Sequence, residues 1–289
     1  MTEWLLRLAS LSAGGALAIL LLLAIERLAG LRYAAKWRCL AWLLLCLRLA
    51  VPFSVLQTRE RATAPIRVEV PANVVIYQPA APTVQPSPPS PQTPPTVPAQ
   101  PREQATTEPA PQKRPVTLSE ALLAVWALGA LGVIGWAALG HIRFLRYVRR
   151  WSAGAGERET RVCGELKELL GLRCAPRLLT CQGLQTPMLA GLLRPCLLLP
   201  EESMEETPLR HALLHELTHY KRRDILFKLL VLWVCALHWF NPAVWLMRRA
   251  VERDLELACD DAALRVLPES ERAAYGQTIL SAAERRQQA

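Results

Sequence analysis

His215, Glu216 and His219 are the residues of this 289-residue chain best suited to chemistry, in the run His215-Glu216-Leu217-Thr218-His219. An α-helix turns once in about 3.6 residues, so side chains at i and i+4 rise one above the other on a single face. Two imidazoles in that arrangement can share one zinc ion. A glutamate between them then stands beside the metal's open position, where it can draw a proton from water. The sequence therefore offers His215 and His219 as metal ligands and Glu216 as a general base. The plain alternative is a helix face that merely carries two histidines, and the surrounding sequence decides between them.

A catalytic zinc takes three protein ligands and keeps a position for water. Residues 241–266 predict a helix opened by Asn241 and Pro242, with Glu252, Glu256 and Asp260 at successive i+4 positions. Glu256 is the expected third ligand. Asp260, one turn on, is expected to accept a hydrogen bond from a ligating histidine and fix its tautomer. The same stripe could instead pair with Arg249 and Arg253 on a solvated face. Asp224 is a second supporting candidate, or else a loop cap or a partner of Arg222 or Arg223. His211 reads as a packed or exposed bystander, since the zinc count is already filled, and His238 as a satisfied core histidine. One zinc ion per chain is the cofactor expected, and Tyr220 and Tyr275 are the residues offered as oxyanion donors. All eight cysteines read as reduced and structural, ahead of a zinc site made from Cys163, Cys174 and Cys181.

The elements that must position these residues begin with three apolar stretches long enough to cross a bilayer, at residues 8–25, 40–56 and 118–139. The third carries Gly129, Gly132, Gly135 and Gly140, small residues that permit close helix packing. The first lacks the small-residue cleavage site of a signal peptide and runs into Glu26 and Arg27. The net charge is +9, yet the positive residues gather beside apolar stretches, at 27–38, 143–150 and 221–223. That is the pattern of a membrane surface, and no nucleic-acid-binding signature accompanies it. Arg27, Arg32, Lys36 and Arg38 lie between the first two spans, and Arg143, Arg146, Arg149 and Arg150 follow the third. The positive-inside rule puts both groups in the cytoplasm, with the N-terminus outside. Residues 57–115 crowd proline with Thr, Gln, Ser and Ala, and read as an extracytoplasmic, disordered spacer.

The organisation expected is two spans within 1–56, the linker at 57–115, a third span within 116–140 and a cytosolic domain at 141–289. Within that domain a helix is expected at 157–170, closed by Gly171, with short strands at 177–180 and 195–199. The helix carrying His215 and His219 is expected to start at Thr207 as N-cap with Pro208 at N1, and to end near 221–223. Residues 225–240 are apolar but short, with Lys228 and His238 inside, and read as a buried or membrane-embedded helix that does not cross. A last amphipathic helix is expected at 271–285. The residues Pro195, Cys196, Leu197, Leu198 and Leu199 are expected to form an edge strand that holds substrate by β-addition.

Three strings, HALLHELTHYKRRD, LHWFNPAVW and ERDLELACDDAAL, together with TPMLAGLLRPCLLLP at 186–200, resemble the integral-membrane zinc peptidases of the BlaR/MecR type. The resemblance is specific over residues 186–275. It implies zinc on His215, His219 and Glu256, with Glu216 as base, in a fold similar to the gluzincins with a small sheet packed on the zinc helix. The fold class expected is thus a mainly α membrane protein: three transmembrane helices plus a cytosolic α+β gluzincin-like zinc peptidase domain. The resemblance implies a bacterial inner or cytoplasmic membrane and a cytosolic protein substrate, commonly a transcriptional repressor or the peptidase itself. A homodimer is compatible with this; direct nucleic-acid binding is not expected. The best-known members continue through a fourth span into an extracellular penicillin-binding sensor with an S-x-x-K motif, which this sequence does not encode. The expectation is a short member with a different stimulus, or a truncated sequence. The competing class is a non-catalytic membrane receptor or scaffold that retains a structural zinc.

Overall fold

The computed structural model describes residues 2–29, 35–51, 117–192 and 194–288. The proline-rich linker expected at 57–115, residue Arg32 and the last part of the second expected span, 52–56, lie outside the described residues. The longest apolar runs make the longest helices. Among the described residues, α1 (Thr2–Ala29) and α3 (Leu118–Trp151) are long and apolar enough to cross a membrane. α2 (Ala35–Ala50) starts ahead of the expected stretch and buries Ala35, Cys39, Trp42, Cys46 and Leu49, a spacing of three and four that marks one packed helix face.

α3 opens on a capping box, in which the Thr117 hydroxyl accepts from the Glu120 N–H and the Glu120 carboxylate accepts from the Thr117 N–H at 2.9 Å. It runs on past the apolar stretch and through the arginines to Trp151, and the sequence after Gly140 contains no proline to break it. Of its four glycines, Gly129 permits a close approach: a Cβ there would collide with the Trp239 ring. Gly132, Gly135 and Gly140 have no such neighbour.

The chain then forms β1 (Ser152–Gly154), α4 (Glu157–Leu169), β2 (Arg177–Cys181), β3 (Met188–Ala190) and β4 (Cys196–Pro200). Gly171 follows α4 with φ of +64, the left-handed C′ position that the sequence assigned to it. The sheet order is β1-β2-β4-β3, with β2 parallel to β4 and the other two pairings antiparallel. The strand of Cys196, Leu197, Leu198 and Leu199, expected at an edge, is therefore interior, and Pro195 lies just outside it. Its physical signature is the unbroken apolar run, buried on both faces, where an exposed edge would alternate. The edge on that side of the sheet is β3, whose three residues are too few for any period to register.

Helices α5 (Glu206–Arg222), α6 (Asp224–Leu237), α7 (Pro242–Val266) and α8 (Glu269–Gln288) complete the fold. α5 starts earlier than expected, with Glu205 as N-cap; Thr207 and Pro208 fall in the first turn, where a missing N–H costs no helical bond. α7 starts as expected, with the Asn241 side chain accepting from the Ala243 N–H at 3.0 Å. Two cores result. One gathers Ile19, Trp42, Cys46, Val234, Met247 and Val251 from α1, α2, α6 and α7. The other packs α5 through Leu213, Leu214 and Leu217 against Leu166, Leu197 and Tyr275. α7 enters both cores, with Leu255 in the first and Ala263 in the second. A buried polar lock ties the first core together: Arg38 pairs with Asp254 at 3.2 Å, and Trp42 Nε1 donates to the same carboxylate at 3.0 Å.

Candidate metal centre

Helical spacing does bring His215 and His219 together. Their Nε2 atoms stand 3.1 Å apart, and both side chains are buried. α7 crosses beside α5 and delivers Glu256, whose Oε2 lies 3.4 Å from His215 Nε2 and 3.3 Å from His219 Nε2. Behind the rings, His215 Nδ1 meets Asp260 Oδ1 at 3.0 Å and His219 Nδ1 meets Asp224 Oδ2 at 2.7 Å. Carboxylate oxygens accept, so each Nδ1 carries the ring proton and each Nε2 presents a bare lone pair. Two lone pairs and a carboxylate oxygen thus converge on one point. Without a cation between them this arrangement is repulsive.

The separations fit a zinc ion. Ligand atoms around a tetrahedral zinc with bonds of about 2.0–2.1 Å stand about 3.3–3.4 Å apart. The electrostatics agree. Burial works against charge on His219, but its hydrogen bonds to Asp224, Cys259 and Glu256 overcome it and raise its pKa to about 11. Burial likewise opposes charge on His215, and its bonds to Asp260, Cys259 and Glu256 again prevail and raise it. Burial would push the Glu256 carboxyl up, but the two imidazoles hold it well below the usual carboxylate range. The carboxylates that favour a positive charge between the rings favour a divalent cation there as well.

Two residues here escaped the sequence reading. Cys259, taken as a structural thiol, has its Sγ in a group with the two histidines whose potential ligand atoms all lie within 4.8 Å of one another. Its signal was its place one turn after Glu256 on the same helix. The thiol donates to the His215 carbonyl oxygen at 3.4 Å. Tyr275, offered as an oxyanion donor, instead lies behind the site. Its hydroxyl is 3.0 Å from His215 Nδ1 and donates to Asp260 Oδ1 at 2.9 Å. The remaining residues sort plainly. His211 packs under α8 with Nδ1 3.2 Å from Thr278 Oγ1, and His238 lies 3.2 Å from the Leu49 carbonyl oxygen. Glu252 pairs with Arg248, and Arg253 with Glu26, so the solvated-face partners of the acidic stripe are not those expected. Asp224 also takes the Arg222 guanidinium at 3.1 Å, which makes both roles considered for it compatible. All eight cysteines are free.

A cavity of about 450 Å³ opens beside the cluster, lined by Glu216, His219, Lys228 and Glu256 and, from the sheet edge, by Met188 and Leu189. The Leu189 N–H points away from β4 and donates to Glu216 Oε2 at 2.8 Å. The edge strand that borders the site is therefore β3, not the strand of residues 195–199.

A family model described as BlaR1 peptidase M56 matches residues 6–289. The regulatory protein BlaR1 of Bacillus licheniformis is 32% identical over 99 residues, covering 34% of this chain and 16% of that protein. The methicillin resistance mecR1 proteins of Staphylococcus aureus and Staphylococcus epidermidis are 33% identical over 100 residues, covering 34% of this chain and 17% of each. The chain thus spans about a sixth of the length of the curated relatives it matches.

Proposed function

The chain belongs to the BlaR1 peptidase M56 family, and on that footing we propose that it is a membrane-embedded zinc endopeptidase that cuts a cytosolic protein in signal transduction. The substrate class we favour is a repressor-like protein or the peptidase itself. The proposed organisation is three spans, two within residues 1–56 and one within 116–140, joined by the extracytoplasmic linker 57–115. The peptidase domain, 141–289, then faces the cytosol, with the apolar helix around 225–240 lying against the membrane. The observation that carries the reading is the convergence of His215 Nε2, His219 Nε2 and Glu256 Oε2 within 3.4 Å of one another.

In this reading His215, His219 and Glu256 hold the metal, while Asp260, Tyr275 and Asp224 fix the rings that face it. Bound there, zinc supplies Lewis acidity, which makes water acidic enough to ionise near neutral pH and polarises a carbonyl. Glu216 takes a proton from the attacking water and returns it to the leaving amine. Before substrate arrives its carboxylate rests on the Leu189 N–H, and the outward-facing edge of β3, rather than residues 195–199, offers a peptide its backbone partners.

The proximity of Cys259 gives the scaffold reading its one specific support: a zinc held by two histidines, Glu256 and Cys259 would have no open position, the mark of a structural site. The thiol's bond to the His215 carbonyl and the cavity on the Glu256 side favour the open site. Zinc content and cleavage of co-expressed cytosolic proteins separate the two. The peptidase reading expects Glu216→Gln to keep zinc and lose cleavage, and Cys259→Ser to keep zinc. Zinc lost from Cys259→Ser, or cleavage retained in Glu216→Gln, would overturn it.

A further inference from the structure

Lys228 interrupts an otherwise apolar helix, with Ile225, Leu226 and Phe227 before it and Leu229, Leu230 and Val231 after it. It is the only lysine or arginine among the described residues that line the cavity beside the histidines. The rest of that lining supplies negative charge from Glu216, Asp224 and Glu256. Peptide hydrolysis needs the opposite, because the carbonyl oxygen gains negative charge as water adds, and a donor aimed at that oxygen acts only as the barrier is crossed. The tyrosines give no such donor: Tyr275 sits behind His215, and Tyr220 does not line the cavity.

The fold fixes where Lys228 stands. Asp224 starts α6 and is locked to His219 Nδ1 at 2.7 Å, and Lys228 follows one turn later, at i+4 on the same face. Its Nζ rests 3.5 Å from Glu256 Oε1, the oxygen that does not face the imidazoles. Both partners are close to half exposed, at 44% and 43%, and an ion pair this open to water is weakly held. Leaving it costs little, and a four-carbon stem lets the ammonium swing toward the substrate.

We propose that Lys228 is the catalytic residue that donates a hydrogen bond to the scissile carbonyl oxygen as it becomes an oxyanion. This rests on the peptidase reading above. As the water oxygen bonds to the carbonyl carbon, the carbonyl electron pair moves onto its oxygen, and Glu216 takes the water's proton. Lys228 turns from Glu256 to that oxygen and keeps its own proton throughout. The C–N bond breaks as the pair returns, Glu216 gives its proton to the amine, and Lys228 goes back to Glu256.

The test uses the full chain in detergent, loaded with zinc, with a quenched fluorescent peptide mixture as substrate and a phosphinic dipeptide as an anionic tetrahedral probe. Lys228→Met is expected to lower kcat about 10²-fold, as for loss of one oxyanion donor, with KM and zinc affinity within twofold. Binding of the phosphinic dipeptide should weaken by a similar factor, and Lys228→Arg should recover part of both losses. Phosphinate binding equal in wild type and Lys228→Met, or a change in zinc affinity alone, overturns the proposal and leaves Lys228 as a neutraliser of Glu256. Glu216→Gln run alongside separates the two levels: if it still cleaves, or wild type binds neither peptide nor phosphinate, the peptidase reading fails and this inference with it.

Discussion

Asp224 and Asp260 do for the two histidines what no main-chain group here does: each takes an Nδ1 proton and turns the opposite nitrogen toward a common point. Partners of this kind commonly tune metal affinity by 10- to 100-fold. Asp224→Asn and Asp260→Asn should therefore each weaken zinc binding by about 10- to 100-fold, read by competition with a chelator of known affinity. Unchanged affinity in both would mean that the rings are held by packing alone. At this scale much of the candidate site was legible. His215, Glu216 and His219 come from helical period, and Glu256 and Asp260 from an acidic stripe with the same period. Cys259 carried a weaker signal, because the spacing that places it one turn after Glu256 also places it on a buried helix face, where a thiol serves as a core residue. The part played by Tyr275 was hidden by its separation of 60 positions from His215.

Elements set which strand a substrate can reach. The sequence marked an apolar run at residues 195–199 and could not show that both of its edges are already paired. The neighbouring strand that closes the sheet is three residues long and carries no periodic signal. Proline substitution distinguishes them. Leu197→Pro breaks a fully buried inner strand and should cost about 3 kcal/mol or more, seen as a collapse of the melting temperature. The Leu189 N–H serves Glu216 rather than the ladder. Leu189→Pro should thus stay folded and lose cleavage. Full activity in Leu189→Pro would remove β3 from the substrate path. The start of α5 differs from the expectation for a related reason. Local signals such as Thr207–Pro208 permit a helix end without requiring one, and tertiary packing chose otherwise. Where the cap chemistry is strong, as at Asn241–Pro242 and Gly171, sequence and structure coincide.

The whole molecule pairs an apolar, lipid-suited half with a polar one. Leu122, Val125, Leu128, Leu131 and Trp136 stand exposed along α3, a surface too apolar for water and suited to acyl chains. Hydropathy made the two longest helices of that half, α1 and α3, legible. The linker at 57–115 is legible only as composition. Orientation is testable through Cys174, the one fully exposed cysteine of the eight. A membrane-impermeant maleimide should leave Cys174 unlabelled in intact spheroplasts and label it in inside-out vesicles; labelling in intact spheroplasts would reverse the proposed topology. Both cores meet at α7, whose N-terminal turns pack with α1, α2 and α6 and whose later turns bring Glu256 to the histidines, so the centre should assemble only in the intact chain. X-ray absorption at the zinc edge on the purified full chain tests that centre most directly. The account predicts one zinc per chain in a shell of nitrogen and oxygen alone at about 2.0–2.2 Å. A sulfur neighbour at about 2.3 Å, or a chain that holds no zinc, would contradict it.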